Sequence, residues 1–311
     1  MFERFSDATK GAIFLVTGIS IFGFSDNLTL LVSDQVSVGQ FHFSRSLLAM
    51  FMVLVAAKMF GMNVIPKLWK PICARTIVMV ASMLLYFGAM PMMPIAEAGA
   101  GLFTSPIFVL LFSAIWFGER IGLRRIMAVA VGSCGVWCVL QPGANGITIY
   151  QLMPILAGAC YAIGSIITFS YLQEESAFAI LFSFLVAIGV TGALITTGLT
   201  LFPAPQEYLT EAQFLFSAWK TVDIQYWIYL FVIALGATCA LSLMTRAYQL
   251  AQTSYAAIFE YAYLLSVSLF SWMFWDITPN ALGIVGIVLI VASGIIITLA
   301  QRREQQSKNH L

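Results

Sequence analysis

Charged residues are scarce in this chain. Asp, Glu, Lys and Arg together make up 9% of its 311 residues, and 60% of the residues are hydrophobic. Soluble globular domains carry about 25% charged residues. The mean hydropathy of +0.92 agrees with this imbalance. The composition therefore excludes an ordinary soluble domain and predicts an all-α integral membrane protein that has the lipid bilayer as its main surroundings.

Groups for catalysis or metal binding are also few. The chain has two histidines, His42 and His310, and five cysteines, all within or beside apolar segments. Cys134 and Cys138 have an i,i+4 spacing, but no histidine or acidic residue accompanies them as a metal site would require. We expect buried, inert thiols. A Gly-rich phosphate-binding loop of the Walker type is absent from the sequence. We therefore expect no enzyme, no cofactor, no resident metal and no nucleic-acid partner.

Long apolar segments dominate the chain. A membrane-spanning helix needs about 20 apolar residues, and ten segments meet this requirement. The first is too long for a signal-peptide core and lacks a cleavage pattern, so we expect it to be retained. Rings of like charge or a filter motif, which would favour a channel, do not occur. The ten predicted spans are 11–32, 41–60, 73–90, 95–117, 123–141, 149–170, 178–202, 226–245, 253–275 and 281–300.

The basic residues predict the orientation of these spans. With the connections assigned alternately to two sides, one side holds 13 basic residues and the other holds only Lys220, while Arg45 lies within a span. Cytoplasmic loops are the ones enriched in Lys and Arg. We therefore expect cytoplasmic N- and C-termini and a location in the cell (inner) membrane. The 13 residues are Arg4, Lys10, Lys58, Lys67, Lys70, Arg75, Arg120, Arg124, Arg125, Arg246, Arg302, Arg303 and Lys308.

A short internal repeat indicates two related halves. Leu111-Phe112-Ser113, followed by the acid Glu119, returns as Leu269-Phe270-Ser271, followed by Asp276. Five predicted spans separate the two copies, so the second copy is inverted in the membrane. Inverted repeats are typical of transporters that bind substrate near the bilayer midplane. We predict ten transmembrane helices in two inverted five-helix repeats, residues 1–145 and 146–301, followed by a cytoplasmic tail, 302–311.

Seven segments of the chain carry recognisable motifs: 45–47, 94–108, 117–120, 131–136, 141–143, 259–261 and 272–276. Together they resemble the drug/metabolite transporter superfamily of the EamA type. The resemblance covers essentially the whole chain. It implies helices 1–4 and 6–9 around a central cavity, with helices 5 and 10 packed outside, and it implies transport of amino acids and related metabolites. The arginine that this family often carries in its second helix corresponds to Arg45.

Ionisable residues inside the spans are the first candidates for function, because each costs about 2.5–3.5 kcal/mol or more to insert into a bilayer. Asp26 and Arg45 fall at similar depth on the first two spans, close enough to pair. A static salt bridge and a role in substrate binding or gating are equally compatible with the sequence. Glu97 lies near the end of the fourth span, where it is either solvated or part of the cavity.

Glu260 is the sharpest candidate, because it lies about two turns inside the ninth span and its segment contains no basic residue. Without a partner it could exchange a proton or bind a cation. Paired with Arg246 or with tyrosine hydroxyls, it would be structural.

Proline and tyrosine residues supply the remaining candidates. Pro106 is expected to kink the fourth span, which either opens a cavity or serves packing alone. A tyrosine inside a span needs a hydrogen-bond partner. This requirement makes Tyr86, Tyr161, Tyr261 and Tyr263 candidates for lining the cavity.

The sequence as a whole predicts a secondary transporter that works by alternating access. A cavity with tyrosines, carboxylates and an arginine suits a zwitterionic or aromatic solute, and export or facilitated movement of small metabolites such as amino acids is the first hypothesis. Import of a vitamin-like aromatic solute such as riboflavin is the alternative. Proton coupling is a hypothesis that rests on Glu260. Small residues on the fifth and tenth spans indicate a close-packing surface, which could form a homodimer face.

Overall fold

The computed structural model describes residues 6–93, 95–102, 104–118, 122–140, 149–276 and 280–309, which are helical with short connections. The first half contains α1 (Asp7–Ser33), α2 (Val38–Phe60), α3 (Trp69–Ala89), α4 (Ile95–Leu102), α5 (Ser105–Phe117) and α6 (Leu123–Leu140). The second contains α7 (Ile149–Tyr171), α8 (Ala177–Leu201), α9 (Gln206–Glu211), α10 (Gln213–Phe216), α11 (Ile224–Leu250), α12 (Thr253–Ala256), α13 (Ala262–Trp275) and α14 (Ala281–Asn309).

Among the described residues, seven helices are long and apolar enough to cross a membrane, and Ser105–Trp116 and Ala281–Ile296 are shorter apolar helices. The seven are Asp7–Ser33, Val38–Phe60, Trp69–Ala89, Leu152–Tyr171, Ala177–Leu201, Ile224–Leu250 and Ala257–Trp275. The all-helical, membrane-spanning class predicted from composition is confirmed. The count of ten spans stays a prediction.

Local sequence explains where several helices begin and end. The Ser37 hydroxyl accepts the backbone N–H of Gln40 at the start of α2, and α2 ends at Gly61, which has a φ of 64°. Ser176 caps α8 in the same way, and the Asp223 carboxylate accepts the N–H of Tyr226 at the start of α11. Side-chain caps of this kind satisfy backbone donors that the helix leaves unpaired.

The fourth predicted span is two helices rather than one kinked helix. α4 ends at Leu102 and α5 begins at Ser105, so Pro106 lies in the first turn of α5. Proline is well tolerated there, because the N–H it lacks would have no helical partner. The Gly101 carbonyl accepts from both the N–H and the hydroxyl of Thr104. This replaces the bonds that the interruption removes, as a membrane environment requires.

The ninth predicted span is interrupted in the corresponding place. The short helix α12 passes into a 3₁₀ turn, Ala257–Tyr261, before α13 begins at Ala262. The Leu-Phe-Ser copies are 158 residues apart, and the same offset carries Thr104, just before α5, onto Ala262, where α13 begins. Both halves therefore interrupt the same helix at nearly the same level.

The ends of α5 and α13 refine the internal repeat. α5 ends at Gly118, with a φ of 61°, and α13 ends at Asp276, with a φ of 55°. Their N–H groups bond to the carbonyls of Ser113 and Ser271, the serines of the two copies. The counterpart of Asp276 is thus Gly118, and the sequence pairing of Asp276 with Glu119 was wrong by one residue. Glu119 itself lies outside the described residues.

The helix pairs follow one scheme in the two halves. α1 packs against α11, and α7 packs against α3; α1 also packs against α13, and α7 packs against α4 and α5. α2 packs against α8, and α6 packs against α14. The two halves can be exchanged by putting α7 in place of α1, α8 in place of α2 and α11 in place of α3. The α1–α11 pair then becomes the α7–α3 pair, whereas the α2–α8 and α6–α14 pairs are unchanged.

The crossing of α2 and α8 depends on two glycines. A Cβ added at Gly192 would lie 2.4 Å from the carbonyl oxygen of Gly39, and one at Gly39 would lie 2.6 Å from the oxygen of Gly192. Because the obstacle is backbone, it cannot rotate away. The closest approach of the two helices therefore requires glycine on both sides, as is common for helices that pack in lipid.

We expect Gly192→Ala to lower the thermal midpoint of the detergent-purified protein, since overpacking costs about 1–3 kcal/mol. Gly198→Ala is the matched control, because it lies on the same helix and a Cβ there meets nothing within 4 Å. The control is expected to keep or slightly raise the midpoint. Equal midpoints for the two variants would show that the crossing is not tight.

The small residues of the fifth and tenth spans are used within the chain. Gly135 lies against Gly286, since a Cβ added at Gly135 would lie 2.8 Å from the carbonyl oxygen of Gly286. The Ser293 hydroxyl donates to the carbonyl of Ala128 over 2.7 Å. These contacts join α6 to α14. The residues that suggested a homodimer face thus have an internal role, and the homodimer stays a prediction.

Two further expectations differ from the structure. Cys73, Cys134 and Cys239 are exposed rather than buried, because they face outward from the helix bundle. Arg75, counted with the cytoplasmic loops, lies inside α3 and is buried. The helix α14 continues to Asn309, and the cytoplasmic tail 302–311 stays a prediction.

Candidate functional site

The Asp26 carboxylate is held by two tyrosines from other helices. Asp26 lies seven residues before the end of α1, is 1% exposed, and accepts hydrogen bonds from Tyr86 of α3 and Tyr263 of α13, both over 2.7 Å to Oδ2. The two hydroxyls also lie 2.7 Å from each other. We call these three residues the Asp26 cluster.

The three oxygens of the Asp26 cluster form a closed ring with three short contacts. Each contact is favourable only if a proton lies on it, because a pair of oxygen lone pairs at this distance repels. The two hydroxyls supply two protons. The third contact is filled when the carboxyl carries a proton of its own. The geometry can therefore hold Asp26 in a protonated form without breaking any of the three contacts.

Arg45 does not form the ion pair expected with Asp26, and both residues are among those described. One Arg45 guanidinium nitrogen lies 3.2 Å from Nδ1 of His42, one turn away on α2. The guanidinium also lies over the Phe41 and Phe87 rings, at 5.1 and 5.0 Å. Arg45 and Asp26 interact electrostatically at longer range. Of the two alternatives left open for this pair, the described contacts do not contain the direct salt bridge, because tyrosines bond to the Asp26 carboxylate instead.

The Glu260 carboxylate has a second set of hydroxyl partners. Glu260 lies in the 3₁₀ turn between α12 and α13 and is 0% exposed. Ser105, at the start of α5, donates to Oε2, and Tyr248 of α11 donates to Oε1. Tyr161 of α7 also bonds to the carboxylate. We call these four residues the Glu260 cluster.

A small cavity adjoins the Glu260 cluster. It has a volume of about 20 Å³, roughly the space that one water molecule needs. Both tyrosines of the cluster line it, together with the buried Arg75. The complete lining is Arg75, Met79, Tyr161, Ser165, Thr168, Leu241, Met244, Thr245 and Tyr248.

The two clusters use corresponding helices of the two halves. The Asp26 cluster draws on α1, α3 and α13; exchanging the halves gives α7, α11 and α5, which supply Tyr161, Tyr248 and Ser105. Asp26 lies seven residues before the end of α1 and Glu260 lies seven residues after the start of α12, about 10 Å along a helix in each case. α1 and α13 run parallel, as Ser266 bonds to Ser20 and Ser271 bonds to Asn27. The carboxylates are therefore displaced toward opposite ends of the bundle.

The other predicted residues lie elsewhere. The Tyr261 hydroxyl lies 3.0 Å from that of Ser133 on α6, so it faces α6 and not the carboxylate beside it in sequence. Pro106 is buried beside Ser105 and sets the first turn of α5. Glu97 belongs to α4, but its side chain lies outside the described part of the chain.

Sequence reasoning missed several partners. Ser105 could have been found, because the 158-residue offset places it opposite Tyr263. Tyr248 could have been found less directly, because it lies two residues before the end of α11, while Tyr86 lies three residues before the end of the corresponding helix α3. Arg75 gave no signal, because a basic residue near a helix end is ordinarily solvated.

A family model matches the first half of the chain. It describes the EamA-like transporter family and covers residues 9–141. This region contains Asp26, Arg45, Tyr86 and Ser105.

Curated relatives are similar at low identity. The riboflavin transporter of Rhizobium johnstonii is 28% identical, over 68% of this chain and 65% of its own length. The riboflavin transporter of Vibrio cholerae is 24% identical, over 70% of this chain and 67% of its own. The pseudopaline exporter CntI of Pseudomonas aeruginosa is 23% identical, over 94% of this chain and 97% of its own. All three are named as transporters or exporters, in agreement with the expectation of transport and not catalysis.

One solved crystal structure shares the fold. It covers 95% of this chain and 98% of its own, with a TM-score of 0.76 and 17% sequence identity. At this identity the likeness concerns the arrangement of helices and carries no information on substrate.

Proposed function

We propose that this chain, a multi-pass membrane transporter of the EamA-like family, moves small amino-acid-like metabolites across the inner membrane by alternating access between two inverted halves. Each half contributes five transmembrane segments, with the interrupted α4–α5 and α12–α13 counted as one each, and both termini are cytoplasmic. The observation that carries the proposal is the pair of buried carboxylate clusters, displaced toward opposite ends of the bundle and built from exchangeable helices. Alternating access needs two such closures, one toward each side of the membrane.

The interrupted helices support a binding region at the interface of the halves. Transporters place substrate where discontinuous helices meet, because irregular backbone in a membrane persists only where protein or water satisfies it. Here both interruptions adjoin the clusters: Ser105 begins α5, and Glu260 lies in the 3₁₀ turn before α13. Five of the predicted residues belong to this region: Asp26, Tyr86, Tyr161, Tyr263 and Glu260.

The chemistry of the region favours a zwitterionic substrate. Carboxylates and the Tyr86, Tyr161, Tyr248 and Tyr263 hydroxyls can bind an ammonium group, while buried arginines can bind a carboxylate. The Asp26 ring and the partners of Glu260 also leave each carboxyl able to carry a proton, which supports proton coupling. Export is the preferred direction, because a relative that matches over 97% of its own length is named as an exporter.

A thermal-shift screen of the purified protein against amino acids, vitamins, nucleosides and organic acids tests the substrate class. A ligand that binds only the folded state raises the thermal midpoint by mass action, by about 2.7 kcal/mol of stabilisation at 100-fold the Kd. We expect amino-acid-like compounds to stabilise the wild type and to exchange in proteoliposomes. Stabilisation by none of them would contradict the proposed class.

The second candidate is uptake of a riboflavin-like solute. It is favoured by one observation: three of the relatives, at 24–28% identity, are named riboflavin transporters. The same screen separates the two, since riboflavin would then stabilise the protein and amino acids would not.

A further inference from the structure

We propose that Arg75 and the hydroxyls around it form a binding subsite for a small anionic group, either the carboxylate of the transported solute or a free inorganic anion. The proposal deepens the function proposed above and rests on it only for the first of these two sources. It concerns the cavity beside the Glu260 cluster.

The first observation is a buried cation without an anionic partner. Arg75 is 7% exposed, and it forms no ion pair with any of the described residues. A guanidinium inside a membrane protein is costly unless it is paired or has a ligand. Arg75 lies in the second turn of α3, and its side chain turns into the bundle instead of reaching the water at the helix end.

The second observation is a free donor that the protein holds in place. Nε of Arg75 donates to the Thr168 hydroxyl over 2.8 Å, and that hydroxyl donates to the Gly164 carbonyl over 2.8 Å. Nη1 is buried and has no hydrogen-bond partner. One edge of the guanidinium is therefore anchored on α7, and a donor on the remaining part is left for a ligand.

The third observation is the cavity itself. Arg75 and its partner Thr168 line it, and four further hydroxyl-bearing residues complete its polar part: Tyr161, Ser165, Tyr248 and Thr245. Its volume of about 20 Å³ suits one water-sized group, such as a carboxylate oxygen or a halide ion. Hydroxyls and a guanidinium provide donors in directions that a small anion can accept.

The position of the cavity gives the subsite a role in transport. Tyr161 and Tyr248 line the cavity and also bond to Glu260. An anion at Arg75 and the Glu260 carboxylate would therefore compete for the same two hydroxyls. Occupation of the subsite would loosen the Glu260 cluster, which is one of the two proposed closures.

The test measures binding to the full-length protein in detergent by thermal shift, independently of transport. Sodium chloride is titrated at constant ionic strength, with the bulky MES anion as replacement. In parallel, phenylalanine and arginine are compared with their decarboxylated forms, phenethylamine and agmatine. Arg75→Gln removes the cation. Arg246→Gln is the matched control, because Arg246 is exposed near the end of α11 and bonds only to Gln249 among the interactions described for it.

We expect the wild type and the Arg246→Gln control to be stabilised by chloride, by the amino acids over the amines, or by both. In Arg75→Gln the half-saturating concentration should rise at least tenfold. Discrimination between acid and amine assigns the subsite to the substrate carboxylate, whereas chloride dependence alone assigns it to a free anion. Thr168→Val, which removes the anchor of Nε, should weaken binding in the same direction and supplies the test if Arg75→Gln does not fold.

Equal half-saturating concentrations in the wild type and in Arg75→Gln or Thr168→Val would overturn the proposal, as would the absence of any stabilisation by chloride or carboxylates. Either result would mean that Arg75 holds only water. The proposed function fails separately, if wild-type proteoliposomes exchange none of the screened solutes.

Discussion

Glu260→Gln is expected to lower proton-driven accumulation of substrate in proteoliposomes at least tenfold and to leave exchange of substrate across the membrane largely intact. The glutamine side chain has nearly the same shape as the glutamate but cannot gain or lose a proton. It can still accept a hydrogen bond through its oxygen, from Tyr248 or Ser105. Net coupled transport needs a site that alternately takes up and releases the proton, whereas exchange needs only movement of the loaded carrier.

The measurement compares accumulation under an imposed pH gradient with exchange at equal pH on both sides. Glu175→Gln is the matched control, since Glu175 is also a buried glutamate, 4% exposed. Its carboxylate accepts the N–H groups of Lys67 and Leu68 over 2.8 and 3.0 Å, so its role is structural. If Glu260→Gln keeps the wild-type pH dependence and rate, Glu260 carries no coupling proton.

Asp26→Asn is expected to lower both accumulation and exchange, again by at least tenfold. The partners of Asp26, like those of Glu260, come from both halves of the chain: Tyr86 from α3 and Tyr263 from α13. An asparagine places an amide group, with two donors of its own, in a ring that already contains two hydroxyl donors. The ring can no longer close with one proton on each contact, so the closure that it forms is weakened.

Two further variants separate the charge of Asp26 from its hydrogen bonds. Tyr86→Phe and Tyr263→Phe each remove one hydroxyl and leave the carboxyl in place; leaving a buried polar group without its partner costs about 1–3 kcal/mol. Each should impair exchange less than Asp26→Asn does. Asp223→Asn, which preserves the cap of α11, is the neutral control. Normal exchange in Asp26→Asn would contradict a role for the ring in closure.

The scaffold was largely predictable, because it depends on patterns that the membrane imposes. Length and hydropathy located the spans, and the Leu-Phe-Ser repeat gave an offset that also relates the two helix interruptions. How many helices form each span was harder to predict from the sequence. Pro106 indicated a disturbance in the fourth span, but the 3₁₀ turn around Glu260 contains no proline or glycine. That interruption depends on contacts with other helices, and the local sequence does not reveal such contacts.

The candidate site was predictable only as a set of residues and not as a set of contacts. The cost of burying ionisable groups correctly drew attention to Asp26, Arg45 and Glu260, all of which are buried. Their partners depend on which side chains from distant helices reach them. Tyrosines reach Asp26 and Glu260, while Arg45 lies against aromatic rings and His42. A count of opposite charges favours an ion pair, but a hydroxyl at the right distance satisfies a carboxylate equally well.

The two clusters also explain how one chain can use both halves with unequal chemistry. The helices that supply the partners are exchangeable, but the carboxylates are not: Asp26 is on α1, while Glu260 is on the 3₁₀ turn, opposite Leu102 at the 158-residue offset. A symmetric scaffold would give two closures of equal stability. Unequal carboxylates allow the two proposed closures to respond differently to protons and to substrate.

Alternate opening of the two clusters can be measured by labelling single cysteines from each side of the membrane. In a variant with the five native cysteines replaced, Met90→Cys lies one turn beyond Tyr86 and Thr245→Cys lies one turn before Tyr248, both at buried positions. If the clusters open alternately, a membrane-impermeant maleimide reaches residue 90 only from the outside and residue 245 only from the inside. A stabilising substrate or a pH gradient should change the two labelling rates in opposite directions. Rates that rise and fall together, or that do not depend on the side of addition, would contradict alternate opening.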